Sequence, residues 1–372
     1  MNMDFTGGIW QSAPPSNGQE LRARIKAGQP LQGLDLRGLE LPPGDYAGAN
    51  FFRCDLRGMR LAGLDLRDSR FSQCRLQAST WETVQLDDCI FHDCEADQST
   101  WRGVRAARVA WNESVAPGMD LRGAHLEQWH FMRCALQSAD LSQAVLTDCS
   151  FSECETGGLR LEGSRQKGVL YFRADLSGAP IRTADWEGVV CVESDLSGQM
   201  LAGQRLVRCQ LNGCNLEHSD LRQAELTQSS FRQARLAGAK LAGAQAARTM
   251  WVQADLSRAD ARGIHAPQSL WADACLDDAV LEGAQLYQAV LHRTRCARAS
   301  FAGTHLQYAD FSYADLSGAD FRQAGFDRTQ MHRALVEGVR WDSRSGVLEK
   351  DAALFEAELW SAARPAASGA RR

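Results

Sequence analysis

Ala174-Asp175-Leu176-Ser177-Gly178 and, far along the chain, Ala314-Asp315-Leu316-Ser317-Gly318 are one five-residue unit written twice. Their leucines belong to a register that runs from Leu31 to Trp341 without a change of phase. It passes through Leu36, Leu41, Tyr46, Phe51, Leu56, Leu61, Leu66 and Phe71, and ends with Phe326, Met331 and Val336. Of its 63 positions, 61 hold Ala, Val, Ile, Leu, Met, Phe, Trp, Tyr or Cys, and only Thr156 and Gln166 depart. A helix has period 3.6 and a flat strand period 2, so neither carries a period of five. A fixed period sustained this long marks a repeat architecture.

A second column lies two residues before each centre and is mostly small: Ala49, Cys54, Ser69, Cys74, Cys89, Cys94, and later Ala309, Ala314 and Ala319. Alternation over a short strand places the small residue and the centre on one face, inward, and the residue between them outward. The last two residues of each unit turn a corner. Most of the 32 glycines stand in the final slot, where a turn needs positive φ.

These units resemble the pentapeptide-repeat family, with its Ala-(Asp/Asn)-Leu-X-X consensus. The resemblance covers roughly 310 of the 372 residues. It implies an all-β solenoid, a right-handed quadrilateral parallel β-helix with four units per coil. Coils spaced like paired strands, about 4.8 Å apart, would make a rod roughly 75 Å long. A period of twenty can be tested within the sequence. One column reads Phe51, Phe71, Phe91, Trp111, Phe131, Phe151, Tyr171, and later Phe231, Trp251 and Trp271; another reads Leu176, Leu196, Leu216, Leu236, Leu256 and Leu276. An aromatic wall and a leucine wall this distinct support four units per coil.

Three segments are expected: residues 1–30 as a loose N-terminus and capping helix, 31–341 as the repeat body, and 342–372 as a C-terminal helix and tail. A solenoid of this length need not split, because each coil buries its face only against its neighbours. Residues 1–15 and the tail from Arg364 read as disordered. Ser16 is expected to cap a helix through about Ala27, with Leu21 and Ile25 over the first coil. Residues 347 to about 363 read as an amphipathic helix through Leu348, Ala352, Phe355 and Leu359, serving as an end cap or as a docking and dimerisation element.

The net charge of −5 is mild and the signs are interspersed, so neither nucleic acid nor membrane binding is expected. No secretory signal or membrane-length apolar run is visible. Nine of the 12 cysteines fill the small inward slot, Cys191 and Cys296 fill the large one, and only Cys275 points out. That pattern reads as reduced, buried thiols in a cytoplasmic protein. All eight histidines, His92 to His332, take outward slots away from the cysteines, so no metal or other cofactor is expected. Gly163 and Gly168 have phosphate-loop spacing without the Gly-Lys-Ser/Thr ending, and both are corner residues. No catalytic constellation rises above the repeat, and the chain reads as a non-enzyme.

One signal does stand out. Over fifteen coils of the aromatic wall, the residues flanking the centres carry three charges in thirty positions: Arg70, Arg232 and Asp310. Half of the same positions on the leucine wall are charged. In place of charge the aromatic wall shows Leu170, Phe172, Val190, Val192, Met250, Val252, Leu270 and Val290. A contiguous apolar strip marks a contact face. Together with Phe355 and Leu359 of the C-terminal helix, these residues are the expected protein-binding positions, for a partner protein or a second copy in a homodimer. The reading is a scaffold for protein–protein interaction. The lead-in from Ile25 through Gln29-Pro30-Leu31 to Gly38 resembles bacterial family members associated with type VI secretion. The alternative is a DNA mimic that protects type II topoisomerase, DNA gyrase, as quinolone-resistance members of the family do. Arg182, Arg222 and Arg262 on one wall oppose the phosphate-like potential this would need.

Overall fold

A computed structural model of the chain describes residues 14–362. They form two compact units, one ending at Asn215 and one beginning at Leu216. Residues 1–13, most of the expected loose start at 1–15, and 363–372, which include the expected tail from Arg364, lie outside the described residues.

In the first unit the aromatic column is a single parallel ladder. Leu31 pairs with Phe51, Phe51 with Phe71, Phe71 with Phe91, and so on through Tyr171, Cys191 and Leu211, always twenty residues apart. These rungs make a ten-stranded parallel sheet, and a six-stranded sheet running from Arg105–Ala107 to Leu206–Val207 forms another wall. In the second unit the same spacing holds as single bridges, such as Met250 to Leu270 to Val290. Twenty residues per coil and five per side follow directly, and the chain is an all-β parallel solenoid.

The centres fill the core. Leu176, Leu196, Leu216, Leu236, Leu256 and Leu276 have no exposed surface. Aromatic centres stack face to face one coil apart, Phe71 on Phe91 at 4.8 Å and Phe231 on Trp251 at 4.5 Å. The two polar exceptions are buried with partners, as a buried polar group requires. Thr156 Oγ1 donates to Asp175 O at 2.8 Å. Gln166 donates to Ser164 Oγ and accepts from Tyr171 Oη, both at 3.0 Å.

The corners are less glycine-dependent than their sequence suggests. Arg53, Gln73, Asp88, Gln128 and Arg133 all take φ between +52° and +63° in the final slot. A left-handed L-residue costs about 1–2 kcal/mol. Here each corner N–H also donates to the next coil, as Arg53 N–H does to Ser72 O at 2.9 Å, which offsets that cost.

The turn that follows the aromatic wall differs between the two units, and so does the usual residue in the small slot. In the second unit it holds alanine in most coils, and the turn closes: Ala234 N–H donates to Phe231 O and Ala254 N–H to Trp251 O, both at 3.0 Å. In the first unit it holds mostly cysteine or serine, and the centre carbonyl accepts from the next coil instead. Cys74 Sγ donates to Phe51 O at 3.4 Å, Cys94 Sγ to Phe71 O at 3.3 Å and Ser194 Oγ to Tyr171 O at 3.2 Å. Those turns stay open, and the wall runs as three-residue strands.

Both ends carry a helix. Helix α1 spans Gly18–Lys26, with Leu21 and Ile25 buried as expected. Its cap is Asn17 rather than Ser16: Asn17 Oδ1 accepts from Glu20 N–H at 2.9 Å, while Ser16 donates back to the Glu20 carboxylate. Helix α2 spans Ala352–Ala362, so the expected start at 347 is corrected. Val347–Leu348 instead pairs with Thr329–Gln330, a return of eighteen residues rather than twenty. That short return breaks the five-residue register and brings the chain back along the aromatic wall before α2 begins.

Candidate interaction surface

Each flank of a centre on the aromatic wall stacks on its counterpart twenty residues later. In the first unit Leu170 pairs with Val190 and Phe172 with Val192, the arrangement expected from sequence. All four are half-buried. Their ladder neighbours are polar, Ser150 and Ser152 below, Gln210 and Asn212 above, so the apolar block is two coils deep. In the second unit Met250, Leu270 and Val290 form one bridged column, with Met250 42% and Leu270 38% exposed, and Val252 half-buried beside it.

Sequence reasoning counted only the residues flanking the centres and missed the rim. The corner column of this wall is an ion-pair ladder. Arg173 bonds Glu193 at 2.9 Å and faces Glu153 at 3.5 Å, with its guanidinium 4.7 Å from the Phe172 ring. Arg133 pairs with Glu113, and Arg293 grips Asp273 at 2.7 and 3.0 Å. The signal was available: Glu113, Arg133, Glu153, Arg173 and Glu193 alternate in sign at spacing twenty. Apolar flanks and a charged edge therefore lie side by side on this wall.

Helix α2 lies on the same wall within the second unit. Glu358 accepts from Tyr313 Oη and, at 2.5 Å, from Arg333 Nε, and it meets His332 Nε2 at 3.2 Å. Asp351 N–H donates to His332 Nδ1 at 3.2 Å. His332 therefore holds its outward slot yet is buried against α2. The Arg333 guanidinium lies 5.7 Å from the Phe355 ring. The helix is held by polar contacts while Leu354, Phe355, Leu359 and Trp360 stay 36–61% exposed.

The acidic residues of the other walls are mostly engaged. Asp55, Asp65, Asp220, Asp260 and Asp320 are each gripped by the arginine two places on, at 2.6–2.7 Å. These arginines hold the five carboxyls below their ordinary range. Among the described residues no group of three His, Cys, Asp or Glu side chains could hold a metal, and no helix is long and apolar enough to cross a membrane.

The sequence matches the family described as "Pentapeptide repeat region" over residues 84–161. It also matches "Pentapeptide repeats (8 copies)" over 47–80, 209–245, 254–293, 284–323 and 299–338. No curated protein matches it. Among solved structures, the chain is similar to HetL, a pentapeptide repeat protein involved in heterocyst differentiation regulation in the cyanobacterium Nostoc. That pair shares 22% identity over 62% of this chain and 91% of HetL, with a TM-score of 0.32. It is also similar to QnrB1, a plasmid-mediated fluoroquinolone resistance protein, at 18% identity over 62% of this chain and 98% of QnrB1, TM-score 0.24. A pentapeptide repeat protein of the Arabidopsis thaliana thylakoid lumen is 25% identical over 35% of this chain and 70% of its own, TM-score 0.11.

Proposed function

The chain belongs to the pentapeptide-repeat family, and from that premise we propose that it is a non-enzymatic, cytoplasmic scaffold that binds another protein through its aromatic wall. The observation that carries this is α2, a helix of the chain itself seated on that wall by Glu358. A wall that accepts one helix has the flatness and the donor rim to accept another. The half-buried Leu170, Phe172, Val190 and Val192 supply the apolar centre, where large side chains dominate affinity.

The test is the double substitution Phe172→Glu with Val192→Lys, against Asp175→Lys with Asp195→Lys on the leucine wall. All four side chains point outward, so both variants should stay folded, the aspartate pair melting somewhat lower because it loses turn hydrogen bonds from Ser177 and Ser197. Binding of the native partner should fall sharply in the first variant only. Equal binding by the first variant and the parent would remove the aromatic wall from consideration.

A second reading, pairing of two copies, rests on the outer side of α2. Leu359 is 54% and Trp360 61% exposed on a helix without a basic residue, an apolar surface that water penalises. If α2 pairs copies, Leu359→Glu with Trp360→Glu lowers the mass measured by light scattering to that of one chain. The DNA-mimic alternative is disfavoured by the arginines that neutralise Asp55, Asp65, Asp220, Asp260 and Asp320.

A further inference from the structure

Cys54, Cys74 and Cys94 occupy one inward column, twenty residues apart, in adjacent coils of the first unit. The register is fixed on both sides of them. Phe51, Phe71 and Phe91 pair in sequence just before, and Asp55, Arg75 and Glu95 pair just after. All three thiols make the same contact: Cys54 Sγ donates to Leu31 O at 3.1 Å, Cys74 Sγ to Phe51 O at 3.4 Å and Cys94 Sγ to Phe71 O at 3.3 Å. Identical side-chain placement in consecutive coils stacks the sulfurs at the strand spacing, about 4.8 Å. A fissure of about 470 Å³ opens over this column. Arg53, Gln73 and Asp93 form one lip and Asp55, Arg75 and Glu95 the other, and the three cysteines, each 1% exposed, form the buried floor beneath them.

We propose that Cys54, Cys74 and Cys94 are an oxidation site, at which a peroxide of about the size of water joins Cys74 to one of its neighbours in a reversible disulfide. The chemistry balances without a further reagent. A cysteine of the column loses its thiol proton, and its sulfur attacks one oxygen of hydrogen peroxide. The O–O bond breaks, hydroxide leaves, and that sulfur becomes a sulfenic acid. The thiol of the adjacent coil attacks the oxidised sulfur. The S–S bond forms, the S–O bond breaks, and water leaves. The first proton neutralises the hydroxide. Two thiols and one peroxide become one disulfide and two waters, with two electrons passing from sulfur to oxygen.

The lips carry Arg53 and Arg75 beside Asp55, Asp93 and Glu95, so charge does not single out one of the three sulfurs as the first nucleophile. The geometry also predicts a labile bond. Parallel in-register neighbours fall inside the Cα window of a disulfide, roughly 4.4–6.8 Å, but slightly beyond its Cβ window of about 3.5–4.5 Å. The two coils must draw together to close it, and a strained disulfide is easily reduced. Cys134 and Cys154 stack in the same way but lie outside this fissure, so they form an internal control.

The test is mass spectrometry on the folded, fully reduced full-length chain after brief exposure to hydrogen peroxide, with remaining thiols alkylated during denaturation. The expected product is one disulfide containing Cys74, in the majority of molecules, reversed by dithiothreitol, with Cys134 and Cys154 still reduced. Cys74→Ser should abolish it, because Cys54 and Cys94 are then two coils apart, while Cys94→Ser should retain a Cys54–Cys74 bond. Serine already fills this column at Ser114 and Ser194, and circular dichroism checks that both variants are folded. Twelve free thiols after peroxide, a disulfide at Cys134–Cys154 first, or a Cys54–Cys94 bond in Cys74→Ser would each overturn the proposal.

Discussion

Leu216 is the centre of its side, with no exposed surface. Replacing it by aspartate removes about 1.5–3 kcal/mol of burial and adds an unpaired charge to a stacked column. Leu216→Asp should therefore unfold several coils of the second unit, seen as lost β signal in circular dichroism and rapid proteolysis there. A native melt would contradict the inward assignment. The paired aspartates set the acid limit. Arg37 holds Asp35 at about 2, and arginine neighbours lower Asp55, Asp65, Asp220 and Asp320. A carboxyl with a depressed folded pKa contributes stability that is present above its unfolded value, near 4, and lost as pH falls through the folded value. The melting temperature should stay level from neutral pH to about 5 and fall between about 4 and 2. A fall beginning well above that window would assign the acid sensitivity to other groups. At this scale the sequence was highly legible: centre, small slot and corner were readable because each slot has one physical demand. What escaped was the hydrogen-bonding role of Cys74 and Cys94, whose thiols were read as small apolar fillers although they also donate to Phe51 O and Phe71 O.

Helix α2 shows where element-level reading stops. Its existence was visible in Ala352, Phe355 and Leu359, but its seat was not, because the eighteen-residue return through Val347–Leu348 leaves the register. Gly346 permits that return. Its φ is +89°, and a Cβ would stand 2.4 Å from Phe326 O. Glu358 then fixes the helix to Tyr313, His332 and Arg333. Glu358→Ala should cost α2 about 1.5–3 kcal/mol, the worth of hydrogen bonds to charged groups. Trypsin should then cut at Arg344 and Lys350 much faster while the melting of the coils is unchanged. Unaltered cleavage would mean that apolar contacts of Phe355 hold the helix without the carboxylate. The same experiment bears on function, since a loosened α2 bares Tyr313 and His332 on the wall.

For the whole molecule, the period of twenty made the fold legible from end to end, while the split into two units at Asn215 was not anticipated. Across that boundary the small slot of the aromatic wall changes from mostly cysteine and serine to mostly alanine, and its three-residue strands give way to single bridges. With eleven of the twelve cysteines buried, thiol counting in the native state should find those outside the Cys54–Cys74–Cys94 column unreactive, Cys275 excepted, and all twelve reactive after denaturation. The candidate surface was half legible: the apolar strip could be counted, but its charged rim lies in corner slots that the count left out. The central claim is that this wall meets another protein. A photo-crosslinking residue placed at Phe172 or Leu270, and for comparison at Ser177 or Asp255 on the leucine wall, tests it in the cells that make the protein. The account predicts one recurrent crosslinked species from Phe172 or Leu270 and none from Ser177 or Asp255. Crosslinks to that species from the leucine wall alone, or equally from both walls, would contradict it.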